Sequence, residues 1–225
     1  MKEIGLFCGT FNPIHLGHLL IAECARDQFH LAKVLFVTSP LPPHRSGGLL
    51  PGRDRHAMVE AAIASNPYFE PSDLELNRPG PSYTVDTVKQ VREMYGANVR
   101  VNLIIGGDNM PFLKEWHRYE ELIAGCRLIV VPRLRYIGDP ITALDSQTGI
   151  IKTISGAQAE AGQIESYGLP DADIAIVDFP GIAISASTIR KRVAAGKSIL
   201  YMVPPEVNEI IAERKFFLKT DAVTK

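Results

Sequence analysis

Five short apolar runs punctuate the chain, at residues 4–8, 34–38, 101–105, 128–131 and 174–177, each four or five residues long. Apolar residues fall on both faces of each run, so a strand built from it must be covered on both sides. Between the runs the periodicity changes to that of helices, over residues 16–29, 53–65 and 83–95, the last opened by Ser82. In the second of these, Met58, Ala61, Ala62 and Ser65 share a face with Arg55 near its start; in the third, Val85, Val88, Val91 and Arg92 keep helical spacing. Buried strands alternating with amphipathic helices predict an α/β fold: a doubly wound parallel sheet with helices on both faces.

The segment Ser39-Pro40-Leu41-Pro42-Pro43-His44-Arg45 is too rich in proline for helix or central strand and predicts an extended loop leaving the second strand. Residues 134–170 are rich in Gly, Ser, Thr and Gln with weak periodicity, and read as an insertion or excursion within a single domain spanning residues 1–225. A further strand follows, then a helical segment from about residue 185 to 194. Pro204 and Pro205 open a final helix running to about Arg214, since proline is tolerated in a first helical turn.

Composition narrows the function. Apolar residues make up 46% of the chain, enough for a sizeable core, and the formal net charge of −1 lacks the basic excess of a nucleic-acid-binding protein. Cys8, Cys24 and Cys126 lack CxxC spacing and are too scattered for a disulfide framework; Cys8 and Cys126 lie in or beside apolar runs and read as small core residues. No stretch of about 18 apolar residues is present to span a membrane, and the N-terminus begins directly with a strand. A cytoplasmic protein that binds neither membrane nor nucleic acid is expected, and a homo-oligomer is left open.

The densest chemical signal is Gly9-Thr10-Phe11-Asn12-Pro13-Ile14-His15-Leu16-Gly17-His18, directly after the first strand. A strand, a tight turn and a helix N-terminus bring main-chain N–H donors together, and Gly9 and Thr10 allow close approach by a phosphate. His15 and His18 are three apart and lie on one helix face, with Gly17 removing a side chain between them. Such a pair could also decorate a surface or ligate a metal; the metal reading wants a third ligand, and no Cys or carboxylate of suitable spacing is nearby.

This string resembles the (H/T)xGH signature of the nucleotidyltransferase superfamily and, within it, the nicotinate mononucleotide adenylyltransferases. The resemblance implies a Rossmann-like fold in which His15 and His18 bind the ATP phosphates and stabilise transition-state charge. Ile184-Ser185-Ala186-Ser187-Thr188-Ile189-Arg190 is similar to the family's ISSTxIR motif, with Ala186 for one Ser and Ser187 for the Thr. Taken alone it is a capped helix start with a solvated Arg; in the family, Arg190 joins the histidines as a catalytic residue. Ala195-Gly196-Lys197-Ser198 is not a Walker A loop, because Lys191 stands where its first Gly is required.

Further segments carry the resemblance. Gly106-Gly107-Asp108-Asn109 places an acid at a strand's carboxyl end, where a ribose hydroxyl is commonly met, and is similar to the family's GxD motif. The implied ATP site is Gly9, Thr10, Phe11, Gly17, Gly106, Asp108, Ser185 and Ser187. Pro42-Pro43-His44-Arg45 resembles the family's PPHK loop, with Arg45 as a cation for substrate phosphate. Arg55 and Met58 match the helix that follows. Ser82-Tyr83-Thr84-Val85-Asp86-Thr87 resembles an SYTxDT segment, which implies that Tyr83 and Thr84 serve the mononucleotide and Thr84 its carboxylate; by itself Thr84 reads equally as an ordinary turn residue. Trp116, the only Trp, keeps charged company in Lys114-Glu115-Trp116-His117-Arg118 and in the family stacks on the pyridine ring. Arg133 lies where the family has a phosphate-binding Arg. The resemblance covers roughly residues 2–133 and 174–214.

The implied reaction is ATP plus nicotinate mononucleotide giving nicotinate adenine dinucleotide and pyrophosphate. The attacking phosphate is already anionic, so no general base is required, and Mg²⁺ is expected to be held mainly by phosphates and water. A pantetheine-phosphate adenylyltransferase or a cytidylyltransferase would share the fold, but Trp116 and the Tyr83-Thr84 segment argue against both. A nucleotide-sensing module without catalysis is disfavoured by the complete set of His15, His18 and Arg190.

Overall fold

Alternation along each strand determines the architecture. The computed structural model describes residues 1–40, 49–96, 98–131, 134–137, 139–143, 172–179 and 181–218. Strand β1 (Lys2–Gly9) lies parallel to β2 (Lys33–Thr38) on one side and to β4 (Val99–Gly106) on the other. Outward from these, β3 (Phe69–Ser72) pairs with β2, β5 (Arg127–Val131) with β4, and β8 (Ile174–Ile176) with β5, all parallel. The six-stranded order is β3-β2-β1-β4-β5-β8. The expected Rossmann-like parallel sheet is what forms.

Odd and even positions on each strand feed two separate cores. Ile4 and Leu6 of β1, Leu35 and Val37 of β2, Leu103 of β4 and Leu128 of β5 enter one cluster, with Val85, Val88 and Val91 from α3 (Thr84–Tyr95) and Leu122 from α4 (Tyr119–Gly125). Phe7, Val34, Phe36, Ile104 and Ile129 enter the other. That face is covered by α1 (Leu16–Gln28), α2 (Gly52–Ile63), α5 (Ala186–Ala194) and α6 (Pro205–Glu213), which contribute Ala22, Met58, Ile189 and Ile211. Helices on both faces follow from strands that have no polar face.

Several details differ from the sequence expectation. The second helix ends at Ile63; its buried face is Arg55, His56, Met58, Val59, Ala62 and Ile63, whereas Ser65 is exposed beyond its end. Helix α3 begins at Thr84, with Tyr83 rather than Ser82 at the cap. Edge strand β3 has no apolar run, because an edge is only half covered and tolerates Pro71. A 3-10 helix (Gly107–Glu115) and the short α4 are additional. Within the expected excursion at 134–170, β6 (Leu134–Ile137) and β7 (Asp139–Ala143) form an antiparallel pair; residues 144–170 lie outside the described residues. Cys8, Cys24 and Cys126 are free thiols, and burial pushes the Cys126 thiol up to about 12.

Leu103 is 1% exposed at the centre of β4. Truncating it leaves a cavity between sheet and helices, so Leu103→Ala is expected to lower unfolding free energy by about 2–5 kcal/mol, read from urea denaturation.

Candidate active site

The strand order reverses between β1 and β4: the chain leaves β1 toward α1 on one face and leaves β4 toward the opposite face. In open α/β sheets this reversal opens a crevice at the carboxyl ends of the two strands, where ligands bind. The two strands end at Gly9 and Gly106, so the histidine string and the Gly106-Gly107-Asp108-Asn109 turn flank this crevice. Asp108 is exposed in the first turn of the 3-10 helix, and the Asn109 side-chain amide donates to the Gly106 carbonyl at 3.1 Å.

His15 is the N-cap of α1 and His18 its third residue. At that spacing a capping box normally uses Glu or Gln to accept the N-cap N–H; here His18 Nδ1 accepts it, from His15 N at 3.2 Å. The bond leaves Nε2 to carry the proton of the neutral His18 ring. The two imidazoles stack with centroids 3.7 Å apart and planes at 24°. Phe11 meets His18 edge-on at 5.2 Å and 86°, and Phe7 meets it at 6.1 Å and 61°. His18 is therefore positioned by a hydrogen bond, a stack and two aromatic neighbours.

At Gly9 and Gly17 the space a side chain would take is filled by neighbouring residues. A Cβ on Gly9 would lie 2.7 Å from the Phe11 ring. One on Gly17 would lie 3.0 Å from His15 Nδ1 and 3.3 Å from Ile182. Phe11 itself is buried at 3% exposure with φ of +46°, so its ring supports His18 from within the core. Thr10 is half-buried beside it.

The C-terminal motif joins this site through the main chain. Arg190 Nη1 donates to the Asn12 carbonyl at 2.8 Å, and the Asn12 side-chain oxygen accepts from Leu50 N at 3.3 Å. Ser185 caps α5 by accepting from Thr188 N at 3.2 Å and lies 3.1 Å from the Ser187 hydroxyl. Both serines are exposed.

A second group of site residues gathers around the start of α3. Tyr83 stacks on His117 with centroids 4.0 Å apart, and Arg118 pairs with Asp86 at 3.1 Å, tying this helix start to that of α4. Below them, Arg78 donates to Ser82 at 2.8 Å and Thr87 at 3.1 Å, and Thr87 donates to the buried Glu75 at 2.7 Å. Thr84 is half-buried at the first helical position, and Trp116 is half-buried with part of its surface against the α3–α4 core. The sequence reading did not single out His117, Arg118 or Asn12, although Asn12 lies within the histidine string and the other two follow the only Trp. Arg45 and Arg133 lie outside the described residues.

Residues 6–192 match the cytidylyltransferase-like family model. The probable nicotinate-nucleotide adenylyltransferase of Pelobacter propionicus is 39% identical over 220 residues, covering 96% of this chain and 98% of that one. Its counterpart from Caldicellulosiruptor bescii is 36% identical over 215 residues, with coverage of 96% and 98%. The chain belongs to the nicotinate-nucleotide adenylyltransferase family. The same fold appears in the nicotinic acid mononucleotide adenylyltransferase of Plasmodium falciparum complexed with NaAD, at a TM-score of 0.72 and 17% identity over 96% of this chain and 98% of that one. This family member is thus a nucleotidyltransferase of NAD biosynthesis, and among its described residues no helix is long and apolar enough to cross a membrane.

Gly17→Ala would press a methyl group against the His15 ring, which packs on His18. Turnover is expected to fall at least about tenfold, because small displacements of positioned groups are costly, while circular dichroism keeps the wild-type spectrum.

Proposed function

We propose that the crevice between β1 and β4 is where this enzyme transfers AMP from ATP to nicotinate mononucleotide, with His15, His18 and Arg190 as the catalytic residues. The observation that carries this reading is the stacked histidine pair at the end of β1, with Arg190 anchored to the same loop through the Asn12 carbonyl. An oxygen of the acceptor phosphate attacks the α-phosphorus of ATP, the α–β bridging bond breaks, and pyrophosphate leaves. The attacking oxygen already carries negative charge, so the protein's task is to position two anions and stabilise spreading charge. The protonated Nε2 of His18 and the Arg190 guanidinium supply donors for that purpose. Gly9, Thr10, Gly106, Asp108, Ser185 and Ser187 are assigned to the ATP half of the crevice, with Phe11 and Gly17 acting through packing against the histidines. Arg45, Tyr83, Thr84, Trp116 and Arg133 are assigned to the mononucleotide.

A divalent cation accompanies ATP in phosphoryl and nucleotidyl transfer, where it neutralises charge on the phosphates. Among the described residues no three His, Cys, Asp or Glu side chains form a metal cage. That donor set fits Mg²⁺ arriving on the nucleotide, held by phosphates and water. A cytoplasmic location and one domain across residues 1–225 complete the proposal.

Pyrophosphate release from ATP tests the reading directly, with nicotinate mononucleotide as the productive acceptor and phosphopantetheine as an inactive one. His18→Ala is expected to cut turnover by at least about 10²-fold, roughly 2.7 kcal/mol of transition-state stabilisation, with little change in Tm. Near-normal turnover in this variant would remove the histidine pair from the mechanism.

The acid form of the acceptor is expected to be preferred over the amide. Main-chain N–H groups and the Thr84 hydroxyl at the start of α3 offer donors to a carboxylate, and Asp86, which could welcome an amide NH₂, is already paired with Arg118. Mismatched buried donors cost about 1–3 kcal/mol each, so two predict discrimination near 10²-fold in kcat/KM when both acceptors compete. A ratio near one would relocate the acceptor pocket.

A further inference from the structure

Arg55 is the largest fully buried side chain among the described residues, at 0% exposure, yet it sits in no ion pair there. Its Nε donates to the Leu50 carbonyl at 2.9 Å, Nη1 to that of Thr10, and Nη2 to those of Ser39 and Pro40, both at 2.8 Å. Burial lowers its pKa, and among the described residues main-chain carbonyl dipoles hold the charge. Isolated buried guanidinium is expensive, and a chain that needed only packing at this position would be served by Met or Leu.

The four carbonyls have a common location. Thr10 follows β1 in the loop that leads to His15. Ser39 and Pro40 follow β2, and Leu50 precedes α2; together they flank the sequence segment that contains Arg45. One more bond joins the two loops, Ser39 N to the Gly9 carbonyl at 2.9 Å. A planar fork with donors in three directions is the only side chain that can join these main-chain strands at once, because an ammonium is a compact point charge.

We propose that Arg55 is a positioning residue for the transfer, its buried guanidinium setting the spacing between the loop after β1, assigned above to ATP, and Ser39, Pro40 and Leu50, which flank the sequence segment assigned to the acceptor phosphate. The proposal rests on the substrate assignment made above. It predicts a coupled effect: loosening the fork displaces both substrates relative to one another, so both are bound and turned over less well. A residue that only supported the fold would change stability and leave the kinetics of the folded enzyme alone.

The test compares wild type, Arg55→Lys and Arg55→Ala in the full chain, with ATP and nicotinate mononucleotide varied separately and unfolding followed by Trp116 fluorescence. Arg55→Lys is expected to unfold cooperatively while losing at least about tenfold in kcat/KM for each substrate, with kcat falling too. Millimolar ethylguanidinium is expected to restore activity to Arg55→Ala and to leave Arg55→Lys unchanged, because only the former has room for it. Kinetic constants within about twofold of wild type in folded variants would overturn the proposal, as would a loss confined to one substrate's KM. Loss without rescue in folded Arg55→Ala, or failure of both variants to fold, would overturn it equally. Absence of pyrophosphate release by the wild type would instead strike the substrate assignment, so the two failures are distinguishable.

Discussion

The reversal of strand order between β1 and β4 is the constraint on which the rest depends. β1 accepts β2 on one edge and β4 on the other, and the connections that leave these central strands pass to opposite faces. In open α/β sheets a crevice forms at the carboxyl ends where such connections diverge. Both cores support this arrangement, because strands with two apolar faces can only be stable when covered twice. The position of the candidate site thus follows from topology, before any particular side chain is considered.

The histidine pair draws on helix capping for its geometry. A spacing of three is the distance from N-cap to third helical residue, and His18 takes the acceptor position that Glu or Gln holds elsewhere. The ring is thereby oriented by the backbone it caps. Phe7, Phe11 and the stacked His15 then pack against it, and the absence of side chains at Gly9 and Gly17 is what lets Phe11 and His15 come so close. Rigid placement of this kind costs nothing at the moment of reaction, which is where preorganised donors gain over water.

Main-chain carbonyls organise much of what surrounds the pair. Arg190 reaches Asn12, and Arg55 reaches Thr10, Ser39, Pro40 and Leu50, so two arginines far apart in sequence hold the same loops. Arg78 and Arg118 do comparable service for the start of α3, through Ser82, Thr87 and Asp86. Cations therefore frame the candidate site while being hydrogen-bonded within the protein.

Fold class, the buried strands, the histidine motif and a capped helix start in residues 184–190 were all legible in the sequence, because each rests on local periodicity or on residues within one turn of each other. Edge strand β3 and the short α4 were not, since half-covered elements have little apolar signal and are stabilised by neighbours. The glycines were legible as missing side chains, and only packing shows that Phe11 and His15 lie beside them. Arg55 was noted only as a residue matching the family's helix, because its partners are carbonyls that every residue carries and so leave no trace in the sequence. Local chemistry is written in residue types and their spacing; which main-chain groups meet a buried cation is decided by how distant loops are brought together, and that belongs to the tertiary structure alone.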